Sequence, residues 1–127
     1  WVLDHFRQVL FESPFFLWMM NSLILVAGSV ALSLVIACFA AYAIARMEFR
    51  GRDTLFAVST ALMAVPPVVL IVPLFVVYTR LGLISTYSGA IIIYAGLITP
   101  FSVYLLVTFF RTLPQDLFDA AVMDGAS

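Results

Sequence analysis

Residues 21–45 read NSLILVAGSVALSLVIACFAAYAIA, and this stretch decides the fold because it contains no charged residue. A helix rises about 1.5 Å per residue, so one of this length exceeds the roughly 30 Å hydrocarbon core of a bilayer. Its Leu, Ile, Val and Phe residues, about eleven in all, together favour membrane insertion by roughly 3–7 kcal/mol. The stretch is predicted to be a transmembrane helix, with Asn21 and Ser22 capping its first backbone N–H groups.

The rest of the chain also has the composition of a membrane protein. Of its 127 residues, 65% are hydrophobic and 10% are charged, against about 25% charged in an average soluble domain. Mean hydropathy is +1.16. Two further uncharged stretches are long enough to cross a bilayer, which predicts an all-α, multi-pass transmembrane helical bundle. The three spans are predicted at about residues 18–45, 54–79 and 86–110.

Several classes of function are disfavoured by residues that the sequence lacks. The net charge is −1 and no basic stripe is interleaved with aromatic residues, so we expect no nucleic-acid partner. Cys38 is the only cysteine, which excludes an intrachain disulfide and the spaced-cysteine zinc patterns. No ionisable Asp, Glu, His, Lys or Arg lies inside a predicted span, and no phosphate-binding glycine motif occurs. We expect a chain that is not an enzyme, binds no metal or cofactor, and draws energy for any transport from a partner.

The arginines predict how the chain lies in the membrane. All six basic residues are arginines, and Arg46, Arg50 and Arg52 lie in one short loop. Because cytoplasmic loops carry the excess of positive charge, this loop is predicted to be cytoplasmic. By alternation, residue 1 lies outside the cell and residue 127 inside it. This arrangement places four arginines on the cytoplasmic side and two on the external side.

Small residues recur at every fourth position along the first span. Side chains at this spacing share one face of a helix and allow a second helix to approach closely. An alternative is that alanine and serine are simply common in membrane helices. The residues concerned are Ser29, Ser33, Ala37, Ala41 and Ala45.

The second span contains the sequence VPPVVLIVP, residues 65–73. Pro66 and Pro67 remove backbone donors and disfavour the helical conformation of the preceding residue, so the helix is predicted to bend or break there. Pro73 is predicted to disturb the helix again. The freed carbonyl groups must be buried in protein or line a wet cavity, which suggests a translocation path. A bend that serves packing alone is an equally common alternative.

Hydroxyl and tyrosine side chains are the polar groups of the third span. They suit a neutral, hydroxylated solute, but they serve equally well as hydrogen-bond partners between helices. Combined with the prolines of the second span, they give a set of candidate path residues. This set is Pro66, Pro67, Tyr94, Thr99 and Tyr104.

The chain closes on the acidic stretch QDLFDAAVMDGAS, residues 115–127. A helix is predicted at about residues 114–124, because Pro114 suits a first turn, acidic residues near that end complement the helix dipole, and Gly125 suits the helix end. This helix is too short to cross a bilayer. Its polar face carries Asp116 and Asp119 where helices lying on lipid prefer Lys and Arg, so it is predicted to bind a protein partner. Its apolar face consists of Leu117, Ala120 and Ala121.

The tail and four upstream segments together resemble the permease subunits of ATP-binding cassette (ABC) importers, of the carbohydrate or maltose-importer class. In the tail, Asp119-Ala120-Ala121 stands where the EAA loop of that family has Glu-Ala-Ala, and Gly125 follows after three residues. The other segments lie in the same order as in the family. They are NSL at 21–23, AYAIARMEFRGRD at 41–53, LGLISTYSGAII at 81–92 and PFSVYLLVTFFRTLP at 100–114.

The resemblance implies a partial type I importer core: three of about six spans, with one more before residue 1 and two after residue 127. It implies a multi-pass protein of the bacterial plasma (inner) membrane, in contact with lipid. Its implied partners are a second permease subunit, cytoplasmic ABC ATPase subunits that bind the ATP, and an extracytoplasmic solute-binding protein. The segment at 114–127 would then be a coupling helix seated in the ATPase. The coupling residues implied are Asp116, Leu117, Asp119, Ala120, Ala121, Asp124 and Gly125.

In this interpretation, ATP-driven closure of the ATPases moves the coupling helix and tilts the spans between inward-open and outward-open arrangements. Small residues would give the close fit, while Asp119 and Asp124 would pair with an ATPase arginine or cap backbone N–H groups. An alternative is a membrane scaffold or assembly protein that recruits a cytoplasmic partner through the same tail. The solute, and whether this subunit touches it, stay open.

Overall fold

The structure, a computed structural model, describes residues 2–125. Within these residues the chain is helical, with a single turn of π-helix at Gln8–Glu12 and no strand. The predicted fold class, an all-α helical bundle, is confirmed. The helices are α1 (Val2–Arg7), α2 (Phe15–Arg46), α3 (Arg52–Leu62), α4 (Pro67–Leu81), α5 (Tyr87–Thr112) and α6 (Gln115–Met123).

The long helices α2 and α5 are each long and apolar enough to cross a membrane. They pack side by side and run parallel, as hydrogen bonds at three levels show. Near their first turns, the Tyr87 hydroxyl donates to Asn21 Oδ1 at 2.6 Å. Midway, the Thr99 hydroxyl donates to Ser33 Oγ at 3.2 Å. The last residue of α2, Arg46, reaches the end of α5, so the two helices end together, while at the other end α2 extends beyond the first residue of α5.

The small residues of α2 form the contact with α5. Ser29, Ser33, Ala37 and Ala41 are each at most 3% exposed, which confirms the predicted close-packing face, and the fifth residue of that face, Ala45, is half-buried. A Cβ on the neighbouring Gly28 would lie 2.7 Å from Ile91 Cδ1 of α5, which shows how closely the helices approach. The core of the molecule lies at this contact. It consists of Ala37, Ala41, Ile44, Val103 and Val107.

The segment between the long helices is broken as the paired prolines predict. The axes of α3 and α4 differ by 97° across the turn at residues 63–66. Pro66 has an extended backbone (φ −64°, ψ 127°), and Pro67 opens α4 at a position that needs no N–H donor. Because α2 and α5 run parallel, these two short helices together return the chain from the Arg46 end of the pair to the Tyr87 end. A re-entrant loop would leave the chain at the end where it started.

Two local predictions are wrong. Asn21 and Ser22 do not cap α2, because the helix begins earlier, at Phe15, and both residues lie inside it. Pro73 does not break α4, which is continuous from Pro67 to Leu81. Each proline removes one backbone hydrogen bond and disfavours the helical conformation of the residue before it. At Pro66–Pro67 both effects fall on adjacent residues, and Pro66 itself is extended, whereas the isolated Pro73 is accommodated within α4.

The closing helix forms one residue away from its predicted limits at each end. Pro114 precedes α6 with an extended backbone (ψ 144°) instead of forming its first turn. Gly125 follows the helix with a φ of +92°, a left-handed conformation that favours glycine and supports its predicted role as the helix end. The last two residues of the predicted 114–127 segment lie outside the described residues.

Candidate coupling and translocation sites

Helix α6 projects from the common end of α2 and α5 with nearly all of its surface open. Phe118 is its only half-buried residue, and the other eight residues from Gln115 to Met123 are exposed. Leu117 is 57% exposed and Val122 66%, so apolar surface is left uncovered. All of the predicted coupling residues are exposed. They are Asp116, Leu117, Asp119, Ala120, Ala121, Asp124 and Gly125.

One cation joins α6 to both long helices. The Arg46 guanidinium donates from Nη2 to the carbonyl oxygens of Phe110 and Leu113, each at 2.6 Å, and from Nη1 to Gln115 Oε1 at 3.0 Å. Its carbon Cζ also lies 3.9 Å from the centre of the Phe118 ring, a cation–π contact. Arg46 therefore touches the end of α5, the first residue of α6 and the buried face of α6 at once.

Aromatic rings complete this junction. Tyr42, one turn before Arg46 on α2, packs edge-on against Phe110 with ring centres 6.2 Å apart. It also lies 6.4 Å from the Phe118 ring. Gln115 in turn donates from Nε2 to Asp119 Oδ1 at 3.2 Å, which orients one of the predicted coupling carboxylates.

The junction residues were not among the sequence-based candidates. The sequence predicts for Arg46 only a positive charge that sets orientation, and it predicts no role for Tyr42, Gln115 or Phe118. Two of the three acceptors of Arg46 are backbone carbonyls 64 and 67 residues away in the chain, and no residue type marks a carbonyl. The one sequence signal is that Arg46 is the first charged residue after a long uncharged span.

The candidate path residues are not brought together. Pro67 and Tyr94 line one apolar crevice of about 590 Å³ between α4 and the first half of α5. Thr99 lines a different groove, of about 440 Å³, between α2, α3 and α5. Tyr104 stacks on Phe56 of α3, with ring centres 6.1 Å apart and planes 9° from parallel. Pro66 forms the break itself.

Hydroxyl groups in the α2–α5 contact hydrogen-bond between helices. The single hydroxyl hydrogen of Thr99 is shared between the Ala95 carbonyl oxygen at 2.6 Å and Ser33 Oγ at 3.2 Å. Ser33 Oγ lies 3.3 Å from Ser102 Oγ. These contacts give Thr99 a packing role in this arrangement, while Tyr94, at 53% exposed, keeps its ring and hydroxyl free for other contacts.

No group of three or more His, Cys, Asp or Glu side chains within residues 2–125 is arranged to hold a metal ion. The single cysteine, Cys38, is exposed on α2. The described residues thus form a parallel pair of apolar helices, with a short exposed helix fixed at one end of the pair.

Comparison with known proteins identifies this pattern. Residues 33–127, three-quarters of the chain, match the protein family described as the binding-protein-dependent transport system inner membrane component. The chain belongs to this family. The predicted likeness to carbohydrate-class ABC importer permeases is confirmed, and the permease chain is a multi-pass membrane protein with a partial type I helical core.

Individual permeases are similar over almost the whole chain. The diacetylchitobiose uptake system permease protein NgcG of Streptomyces coelicolor is 33% identical over 126 residues, covering 99% of this chain and 42% of NgcG. The sulfoquinovosyl glycerol transport system permease protein SmoH of Agrobacterium fabrum is 34% identical, covering 98% and 44%. The trehalose transport system permease protein SugB of Mycobacterium tuberculosis is 34% identical, covering 98% and 45%. The chain thus spans less than half the length of these curated relatives.

Proposed function

We propose that this chain is part of a permease subunit of an ATP-driven, binding-protein-dependent importer for sugars or related glycosides. Family membership supports the permease role, and the relatives' names carry diacetylchitobiose, sulfoquinovosyl glycerol and trehalose, all of them sugars or glycosides. The proposed partners are cytoplasmic ABC ATPase subunits, a second permease subunit, an extracytoplasmic solute-binding protein and membrane lipid. ATP binds to the ATPase partner, and this chain is proposed to be neither an enzyme nor a cofactor-binding protein.

The observation that carries this proposal is the placement of α6. It is a short helix with an uncovered apolar surface and two aspartates, Asp116 and Asp119, on its polar surface. It is fixed where two candidate membrane-spanning helices end together, so a force on α6 acts on both of them. A helix of this kind is a lever with one free, dockable end.

The free end of the lever is proposed to be cytoplasmic. Arg46 and Arg111 lie near the ends of the parallel helices α2 and α5, and the loop carrying Arg50 and Arg52 leaves the same end. This grouping puts four of the six arginines on the α6 side, in agreement with the positive-inside rule. The first turns of α2 and α5 would then face outward.

The test replaces Gly125 by Asp in the assembled importer and measures uptake of radiolabelled disaccharides driven by ATP. Gly125 has a φ of +92°, so a side chain is strained there and adds bulk and charge at the end of the docking helix. We expect uptake to be lost while membrane insertion stays normal. The matched control is Gly51→Asp, since Gly51 also has a positive φ, of +94°, and open surroundings.

Two results would contradict the proposal. Uptake at the native rate in Gly125→Asp would contradict the proposal that α6 transmits motion from the ATPase to the long helices. Normal assembly with an ATPase but no solute uptake in the native protein would favour the scaffold alternative. If Gly51→Asp lost uptake to the same degree, backbone strain, and not loss of docking, would explain the Gly125→Asp result.

A further inference from the structure

The main chain alone does little to fix the direction of α6. Leu113 and Pro114 separate it from α5, and both have extended backbones, with ψ of 131° and 144°. The helical hydrogen-bond ladder is therefore interrupted between α5 and α6. Phe118 is the one half-buried side chain of α6. Side-chain contacts at the junction must supply the rigidity that the link lacks.

Arg46 supplies most of these contacts. The carbonyl groups of Phe110 and Leu113 lie at the end of α5, where backbone acceptors lack partners within the helix and the helix dipole is negative. The guanidinium of Arg46 satisfies both of these acceptors and Gln115 Oε1. Hydrogen bonds from a charged donor are the strongest of their kind.

The shape of the guanidinium matters as much as its charge. Its edge donates to acceptors on α5 and α6 while its flat face covers the Phe118 ring at 3.9 Å. A lysine ammonium is a compact point charge with no flat face, so it cannot stack and bridge three acceptors in the same way. The site is therefore specific for arginine.

We propose that Arg46 is a positioning residue that locks α6 to the ends of both α2 and α5, so that the coupling helix and the two long helices move as one body. This proposal rests on the proposed function, in which α6 receives the motion of an ATPase. Without Arg46, α6 would stay attached to α5 through two extended residues and would swivel when it is pushed. ATP hydrolysis would then continue with less solute moved per ATP.

The experiment compares variants of the assembled importer in proteoliposomes, with solute uptake and ATP hydrolysis measured in parallel. Arg46→Gln removes the charge and the stack, Arg46→Lys keeps the charge alone, and Phe118→Leu removes the stack but keeps every hydrogen bond of Arg46. We expect solute moved per ATP to fall about tenfold or more in Arg46→Gln, because several charge-assisted hydrogen bonds are lost. For Arg46→Lys and Phe118→Leu, the amount of solute moved per ATP should lie between the values of Arg46→Gln and the native protein. The solute concentration for half-maximal uptake should stay unchanged.

Arg50→Gln is the matched control, since Arg50 is an exposed arginine in the loop after α2. It should retain the native ratio of uptake to hydrolysis. A native ratio in both Arg46→Gln and Phe118→Leu would overturn the proposal. If Arg46→Gln failed to assemble, Phe118→Leu would decide, with a native ratio counting against the lock and a reduced ratio for it.

The two proposals can fail separately. Native uptake in Gly125→Asp would overturn the coupling role of α6 itself. A different result would separate the two proposals: Gly125→Asp loses uptake, but the Arg46 and Phe118 variants keep the native ratio of uptake to ATP hydrolysis. That result would support the coupling role of α6 and contradict only the positioning role of Arg46.

Discussion

In the α2–α5 pair, Ala37, Ala41 and Val107 are completely buried, whereas α3 and α4 contain no buried residue at all. Both regions are apolar in sequence, so composition does not explain the contrast. The pair holds its arrangement by the fit of side chains that are far apart in the chain. The return segment α3–α4 takes its shape from two adjacent prolines, a local feature.

The contrast teaches which parts of the molecule can bend. A close-packed contact between helices resists gradual deformation, so α2 and α5 should act as a rigid frame. The return segment has a fixed bend but few partners within this chain, and α4 exposes much of its apolar surface, including Val68 at 73% and Val72 at 71%. In an assembled permease, that surface must be covered by lipid or by other helices.

The largest effect is expected from overfilling the frame. Ala37→Leu places three extra carbon atoms in a contact where Ala37 is 0% exposed, so α2 and α5 must move apart. We expect a loss of about 3 kcal/mol in the free energy of unfolding. Thermal unfolding of the purified permease complex measures it. Ala31→Leu is the control on the exposed face of α2, and an equal loss there would show that the α2–α5 contact is not the source of rigidity.

The next effect is expected where the return segment joins the frame. Gly89 lies in the first turn of α5, and a Cβ there would collide with the Leu83 carbonyl oxygen and lie 2.9 Å from Thr86 Oγ1. Thr86 caps the helix by accepting from the Gly89 N–H, at 3.0 Å. Gly89→Ala should therefore disrupt the turn and the cap together, at a cost of about 2 kcal/mol.

Gly96→Ala is the matched control for Gly89→Ala in the same thermal unfolding assay. Nothing lies within 4 Å of a Cβ built on Gly96, and alanine favours a helix interior over glycine. We expect this change to be neutral or slightly stabilising. Similar losses of unfolding free energy in Gly89→Ala and Gly96→Ala would show that the turn before α5 does not specifically require glycine at position 89.

The proline bend gives the third prediction. In the double variant Pro66→Ala, Pro67→Ala, the backbone donors return and α3 can continue into α4. Spin labels at Leu55 and Val76, both exposed, should then move apart toward about 31 Å, the span of a continuous helix of that length. Pulsed electron spin resonance measures this distance.

Pro73→Ala serves as the control, because α4 already runs without a break through Pro73. With Cys38 replaced by Ser to avoid stray labelling, this variant should keep the native label distance. An unchanged distance in the double variant would show that packing against other parts of the permease, and not the prolines, fixes the bend.

The sequence could predict features that depend on local chemistry or simple periodicity. The proline break, the glycine that ends α6 and the small-residue face of α2 all belong to this group. The parallel course of the two helices follows from the predicted alternation of the three spans, but the sequence could not predict that α5 is the partner of that face, or at which levels the two helices touch. Those facts depend on how distant segments fit, and many apolar residues would satisfy the same pattern.

The candidate sites also separate into features set by local sequence and features set by contacts between distant residues. The exposed surface of α6 follows from its own sequence, which mixes aspartates with alanines in a helix too short to span a membrane. The attachment of α6 through Arg46 depends on carbonyl groups of a helix more than sixty residues away. The coupling and path residues remain predictions, which the proposed uptake assays must test.

The smallest expected effect concerns the hydroxyl groups inside the frame. Ser33 bonds to Thr99, whereas Ser29 Oγ is buried with no hydrogen-bond partner among the described residues. Ser33→Ala should therefore cost about 0.6 kcal/mol, the average for such bonds in membrane helices. Ser29→Ala should be neutral or stabilising, because it removes a buried polar group that has no partner.

The two serines lie one turn apart on the same face of α2, so each variant controls for the other. Both substitutions leave a methyl group in the small-residue contact, and neither opens room for a second helix to shift. A difference in unfolding free energy between them therefore reports hydrogen bonding alone. If the two variants unfold alike, the parallel pair is held by steric fit without a contribution from its hydroxyl groups, and the polar residues of α5 are free to serve another purpose.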